Sequence, residues 1–130
     1  MSSPGLRICV VDDDEDVRRA VRRLLRAAGF IAETFASAEE FLESRDDTRA
    51  DCLVLDVHLG GLSGVDLQQR LAASGSSIPV VFITAYDDMA THERARGTME
   101  YLRKPFEDQS LIAAIHKAIA RASGRGDGSP

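Results

Sequence analysis

Short apolar runs alternate with amphipathic stretches along the whole chain, and few architectures accommodate that alternation. Leu6–Val11, Phe30–Thr34, Cys52–Leu55, Ile78–Ile83 and Met99–Leu102 read as strands. Between the first two, Val17, Ala20, Val21, Leu24, Leu25 and Ala28 recur at i, i+3, i+4, i+7, i+8 and i+11, the stripe of an amphipathic helix over Asp14–Ala28. Gly29 stops it. Ser37-Ala38-Glu39-Glu40 is a capping box that opens a second helix with Phe41 and Leu42 inward. Ser63-Gly64-Val65-Asp66 resembles another and opens a third, through about Ser74. Asp88–Arg96 reads as a short fourth helix, and Asp108–Ala122 as a fifth with Leu111, Ile112, Ile115 and Ile119 on one face. Cys52–Leu55 is apolar throughout, as a strand covered on both faces must be. Strands alternating with helices in this way predict an α/β fold, a doubly wound parallel sheet.

The chain has 130 residues, enough for one domain with a core that needs no disulfide. Residues 1–5 read as an N-terminal tail, 6–122 as the domain, and 123–130, rich in Gly, Ser and Pro, as a disordered C-terminal tail. Sixteen basic residues against 21 acidic ones give a net charge of −5, which argues against direct nucleic-acid binding by this domain. Arg18, Arg19, Arg22, Arg23 and Arg26 share one predicted helix and read as a solvated face. Cys9 and Cys52 sit inside apolar runs at no metal-binding spacing, so they are expected to act as small hydrophobes in a reducing cytoplasm. No run approaches the length of a membrane span.

The polar residues at strand ends carry the chemistry. The first strand runs into Asp12-Asp13-Asp14, the third into Asp56 and the fourth into Thr84, and the fifth is followed by Arg103-Lys104-Pro105. Ligands of open α/β sheets bind outside the carboxyl ends of the strands, so Asp12, Asp13, Asp56, Thr84 and Lys104 are expected to converge. Each has an ordinary explanation alone: an acid-rich helix start, a turn threonine, a solvated lysine. The set, each member beyond a different strand, is what points to a site. Three carboxylates in one crevice repel one another and call for a cation. Hard oxygen donors beside one amine suit Mg²⁺, which takes one or two carboxylates and keeps other positions for water and phosphate. That leaves a carboxylate free to act as a nucleophile.

In these residues the chain resembles the receiver domain of bacterial response regulators, over roughly residues 6 to 122. Val10-Val11-Asp12-Asp13-Asp14 is similar to the family's acidic-pair segment and Leu53-Val54-Leu55-Asp56 to its phosphoacceptor strand. Phe82-Ile83-Thr84-Ala85 and Tyr101-Leu102-Arg103-Lys104-Pro105-Phe106 are similar to its threonine and lysine segments. The resemblance implies a flavodoxin-like, five-stranded sheet in the order 2-1-3-4-5 with five helices. It implies Asp56 as phosphoacceptor, Asp13, Asp56 and the His58 backbone carbonyl as direct Mg²⁺ ligands, and Asp12 holding the ion through water. Lys104 and Thr84 would contact the phosphoryl group, Thr84 and Tyr101 would form the switch, and Lys104–Pro105 would be cis. A sensor histidine kinase or histidine phosphotransfer protein would supply the phosphoryl group, and the domain would be a switch rather than an enzyme of small-molecule turnover. A phosphorylation-dependent homodimer is left open.

The sequence departs from the family in two places. Leu59-Gly60 stands where a Met-Pro pair is common, and Gly60-Gly61 is expected to loosen that loop. The stretch from Thr84 to Lys104 looks shorter than usual in the fourth helix, and Tyr86–Gly97 is expected to open more readily than the rest. His92 and His116 read as surface residues, and His58 as a residue able to line the site. Two alternatives share the architecture. A haloacid-dehalogenase-type phosphatase needs an Asp two residues after the nucleophile, where this chain has His58. A flavodoxin-like FMN binder needs a phosphate loop where Asp12-Asp13-Asp14 would repel phosphate. The carboxyl end, Lys104-Pro105-Phe106-Glu107-Asp108-Gln109, is similar to receivers of FixJ-like transcription regulators. A stand-alone receiver is expected, with the receiver fragment of such a regulator as the alternative.

Overall fold

The computed structural model describes residues 5–44, 50–59, 61–84 and 100–126. Five strands, β1 (Arg7–Val11), β2 (Ile31–Phe35), β3 (Cys52–Asp56), β4 (Val80–Thr84) and β5 (Glu100–Arg103), alternate with α1 (Glu15–Ala27), α2 (Ala38–Ser44), α3 (Gly64–Ala73) and α4 (Asp108–Gly126). All neighbouring strands are parallel, in the order β2-β1-β3-β4-β5. The expected order is therefore found. Four helices lie among the described residues, and the helix expected over Asp88–Arg96, with the whole Tyr86–Gly97 segment, lies outside them.

Residue parity within the strands explains the two-faced core. Ile8, Val10, Cys52, Val54, Val81 and Ile83 point to one side, where Val21 and Leu25 of α1 and Leu111 and Ile115 of α4 cover them. Cys9, Val11, Leu53, Leu55 and Phe82 point to the other, against Phe41 of α2 and Leu67 and Leu71 of α3. Every residue of β3 and β4 is buried, which is why those strands read as unbroken apolar runs. Burial pushes the thiols of Cys9 and Cys52 up to about 12, so both stay protonated and pack as small apolar groups.

The helix ends follow their local sequence. Asp14 caps α1 by accepting from the Asp16 N–H at 2.9 Å, and Gly29 leaves that helix at φ +96°. Ser37 Oγ accepts from Glu40 N–H at 3.0 Å while the Glu40 carboxylate accepts from Ala36 N–H at 2.6 Å. The box thus reaches one residue further back than its standard form. Ser63 caps α3 through the Asp66 N–H at 3.0 Å. The last helix runs to Gly126, beyond the expected end at Ala122. The arginines of α1 other than Arg18 are exposed, as a solvated face requires. His116 is also exposed, with its ring 5.6 Å from that of Phe30.

Candidate functional site

The carboxyl edge of the sheet gathers the predicted residues. Parallel pairing of β1 with β3 sets Val11 opposite Leu55, so both strands run out at one level and their next residues share a crevice. One carboxylate oxygen from each of Asp12, Asp13 and Asp56 lies within 4.8 Å of the others. Asp12 is fully buried, Asp56 is 5% exposed, and Asp13 faces solvent. Thr84, the last residue of β4, is fully buried beside the strand that carries Asp56.

Lys104 enters from the far side of the sheet. Its backbone N–H donates to the Thr84 carbonyl at 2.6 Å, which fixes the chain just after β5. The Lys104–Pro105 peptide that follows is cis, as the family resemblance implied. The Lys104 ammonium donates to Asp12 Oδ2 at 2.9 Å and to Asp56 Oδ2 at 3.4 Å.

These charges perturb one another. Burial and the neighbouring Asp12 carboxylate push the Asp56 carboxyl up to about 6, although Lys104 and the His58 N–H, 3.1 Å from Asp56 Oδ1, pull the other way. Burial disfavours the Lys104 ammonium, but its hydrogen bond to Asp12 and the charges of Asp12 and Asp56 outweigh that, and its pKa is raised. Lys104 is therefore a fixed positive charge, and one lysine faces three acids. The set contains only hard oxygen donors and carries an excess of negative charge, which is the chemistry that fits Mg²⁺.

Three supporting contacts were not legible in the sequence. Asp12 Oδ1 accepts from the Asp14 N–H at 2.9 Å, so both of its carboxylate oxygens are already engaged. Arg18 reaches back from α1 to donate to the Asp12 carbonyl at 2.7 Å, and an arginine at that spacing carries no signal that separates it from its exposed neighbours. Gly64, at the start of α3, sits so close to β3 that a Cβ there would clash with the Asp56 carbonyl oxygen, well inside van der Waals contact, and lie 3.2 Å from Val57 Cα. His58 has an exposed side chain, and its backbone faces the site through the N–H bond to Asp56. Tyr101, on β5 opposite Phe82, is half-buried and packs against the core on the α2–α3 side.

A parallel sheet in this order, with an acidic pocket and a lysine at its carboxyl edge, defines a flavodoxin-like α/β domain whose charged cluster lies where open α/β sheets bind their ligands. The response regulator receiver domain model matches residues 8–116, and the chain belongs to that family: it is a receiver domain, a phosphorylation-activated switch of two-component signalling. It is 42% identical over 116 residues to nodulation protein W of Bradyrhizobium diazoefficiens, covering 88% of this chain and 51% of that protein. It is 37% identical over 124 residues to the transcriptional regulatory protein FixJ of the same organism, covering 94% of this chain and 60% of that one. A crystal structure of a response regulator receiver protein from Burkholderia phymatum superposes with a TM-score of 0.78 at 44% identity, covering 88% of this chain and 95% of that one. The chain thus spans little more than half the length of these two relatives.

Proposed function

We propose that Asp56 is the phosphoacceptor, with Asp13, Asp56 and the His58 carbonyl as direct Mg²⁺ ligands and Asp12 holding the ion through water. The observation that carries this reading is the meeting of the Asp12, Asp13 and Asp56 carboxylates with the Lys104 ammonium across three strand ends. Both Asp12 oxygens being engaged supports its indirect role, and the exposure of Asp13 supports a direct one.

A phosphohistidine on a sensor histidine kinase or histidine phosphotransfer protein is the donor. An Asp56 carboxylate oxygen attacks phosphorus, the P–N bond breaks, and the imidazole leaves with its electron pair and takes up a proton. The product is an acyl phosphate on Asp56. Mg²⁺, when bound, neutralises charge on the transferring group. Lys104 would add to this as a point charge, and the Thr84 hydroxyl would donate to a phosphoryl oxygen. Water later attacks phosphorus, releases inorganic phosphate and restores Asp56. The domain thereby assists its own modification and its reversal but turns over no small substrate. Thr84 and Tyr101 carry the state of Asp56 to the β4–β5 surface.

Val17, Ala20, Val21 and Leu24 of α1 form an apolar groove with Pro105 and Phe106, and Lys104 lines its end. Continuity with the site supports docking of the helical phosphodonor protein there. The reading sets the switch in the cytoplasm; no described helix is long and apolar enough to cross a membrane.

The deciding experiment is incubation with a small acyl phosphate, with and without Mg²⁺, followed by intact-mass measurement. Wild type should gain one phosphoryl group only with Mg²⁺, and Asp56→Asn none, because an amide cannot attack. Full phosphorylation of Asp56→Asn would reject the assignment.

A further inference from the structure

The loop from Asp56 to Gly64 is secured at both ends. His58 N–H donates to Asp56 Oδ1 at 3.1 Å, and Gly64 N–H donates to the Val57 carbonyl at 3.1 Å. Between these ties the chain passes through Gly61, a residue type with wide backbone freedom. There a side chain from a different element meets it. Glu39 Oε2, on the first turn of α2, accepts from the Leu62 N–H at 3.2 Å.

Several features show that this contact is provided for. The capping of α2 is carried by Ser37 and Glu40, which leaves the Glu39 carboxylate free to reach outward. Its base is rigid, because Ala38 and Phe41 on either side of it are buried in the core. Gly61 stands at φ +79°, and a Cβ there would come within 3.1 Å of Glu39 Oε2, so a glycine makes both the turn and the room.

We propose that Glu39 is a positioning residue that clamps the Asp56–Gly64 loop through the Leu62 amide and so holds the His58 carbonyl where a divalent cation at the acidic cluster can use it. The inference rests on the metal reading above. A carboxylate on α2 then does for this loop what a stiffer sequence after Leu59 would do. Without it Gly61 spends more time in other conformations, and cation binding must first restore the bound one.

The test compares wild type, Glu39→Ala and Glu39→Gln. Amide exchange at Leu62 is measured in metal-free protein, Mg²⁺ affinity by titration, and phosphorylation at low and saturating Mg²⁺. Glu39→Ala should speed Leu62 exchange and weaken Mg²⁺ binding, each by about threefold to tenfold, the net worth of one ordinary intramolecular hydrogen bond, since this one is exposed to solvent. Its phosphorylation should slow at low Mg²⁺ and recover at saturation. Glu39→Gln keeps an acceptor oxygen and should restore most of the loss, which a merely structural role would not do. The melting temperature should hold, since Glu39 is exposed and alanine favours the helix. Unchanged Leu62 exchange and Mg²⁺ affinity in Glu39→Ala would overturn the proposal. So would a general rise in exchange across the domain with no rescue by glutamine. A wild type that binds no Mg²⁺ would overturn the metal reading, and the positioning role with it, and Leu62 exchange would tell that failure from the loss of the clamp itself.

Discussion

The Lys104 ammonium lies 2.9 Å from Asp12 Oδ2, across 92 residues of sequence and the width of three strands. It is closer to Asp12 than to Asp56, which it meets at 3.4 Å. Lys104 thus answers first to the buried acid that has least access to solvent, and only second to the residue assigned as acceptor. Lys104→Met removes the described cation that offsets these carboxylates. It should slow phosphorylation on the order of 100-fold, the usual cost of losing one preorganised group that stabilises charge in transfer. Single-turnover mass measurement checks this, and a rate within twofold of wild type, on the order of experimental scatter, would exclude the role.

Asp12 and Asp13 should separate in two different assays. Asp12→Ala leaves the Asp14 N–H without its acceptor and Lys104 without the shorter of its two ion pairs, so it should lower stability by about 1–3 kcal/mol. Asp13→Ala, at an exposed position, should leave stability nearly unchanged and weaken Mg²⁺ binding more than Asp12→Ala does. Denaturant melts and a metal titration on both variants settle the ranking, and a larger Mg²⁺ loss in Asp12→Ala would reverse the assigned roles.

The Asp56 carboxyl gives the metal-free protein a pH dependence of known sign. Its value is about 6 in the fold against an ordinary 3.8, so the folded state binds the proton more tightly than the unfolded chain. That favours the folded state below about 4, and the advantage is lost as pH rises through about 6. Asp56→Asn removes this loss. Its melting temperature should exceed that of wild type at pH 7.5 by a few degrees, about 3 °C for each kcal/mol at this chain length, with the gap closing near pH 4. The same titration sets the metal dependence: Mg²⁺ competes with the proton, so its affinity should fall as pH drops below about 6. An Asp56→Asn variant no more stable than wild type at pH 7.5 would contradict the raised value.

Gly64 should tolerate no side chain. A Cβ would strike the Asp56 carbonyl, and both atoms belong to backbone that is held in the sheet and at the start of α3. Gly64→Ala is expected to cost at least about 1–3 kcal/mol, the range for overpacking a dense core. It should also impair phosphorylation by displacing Asp56. A variant as stable and as readily phosphorylated as wild type would show that the contact relaxes freely.

The elements were written in local sequence because their signals are local. The i, i+4, i+8 stripe of Val17, Val21 and Leu25, the caps at Asp14, Ser37 and Ser63, and the apolar runs of β3 and β4 each act within a few residues. Alternation of strand and helix then left a parallel sheet as the main way to bury both faces. Convergence of Asp12, Asp13, Asp56 and Lys104 was legible for the same reason: each stands at the carboxyl end of a strand, and parallel strands end at one edge. What the chain alone did not disclose lies in contacts between elements. That Lys104 favours Asp12 over Asp56, that Arg18 holds the Asp12 carbonyl, that Gly64 abuts the Asp56 carbonyl and that Glu39 reaches Leu62 all depend on close separations between segments 6 to 92 residues apart. Periodicity and capping specify which face a residue takes and where a helix begins. Only the packed sheet and its helices set how far one side chain stands from another, and the chemistry of the acidic edge is decided at that scale.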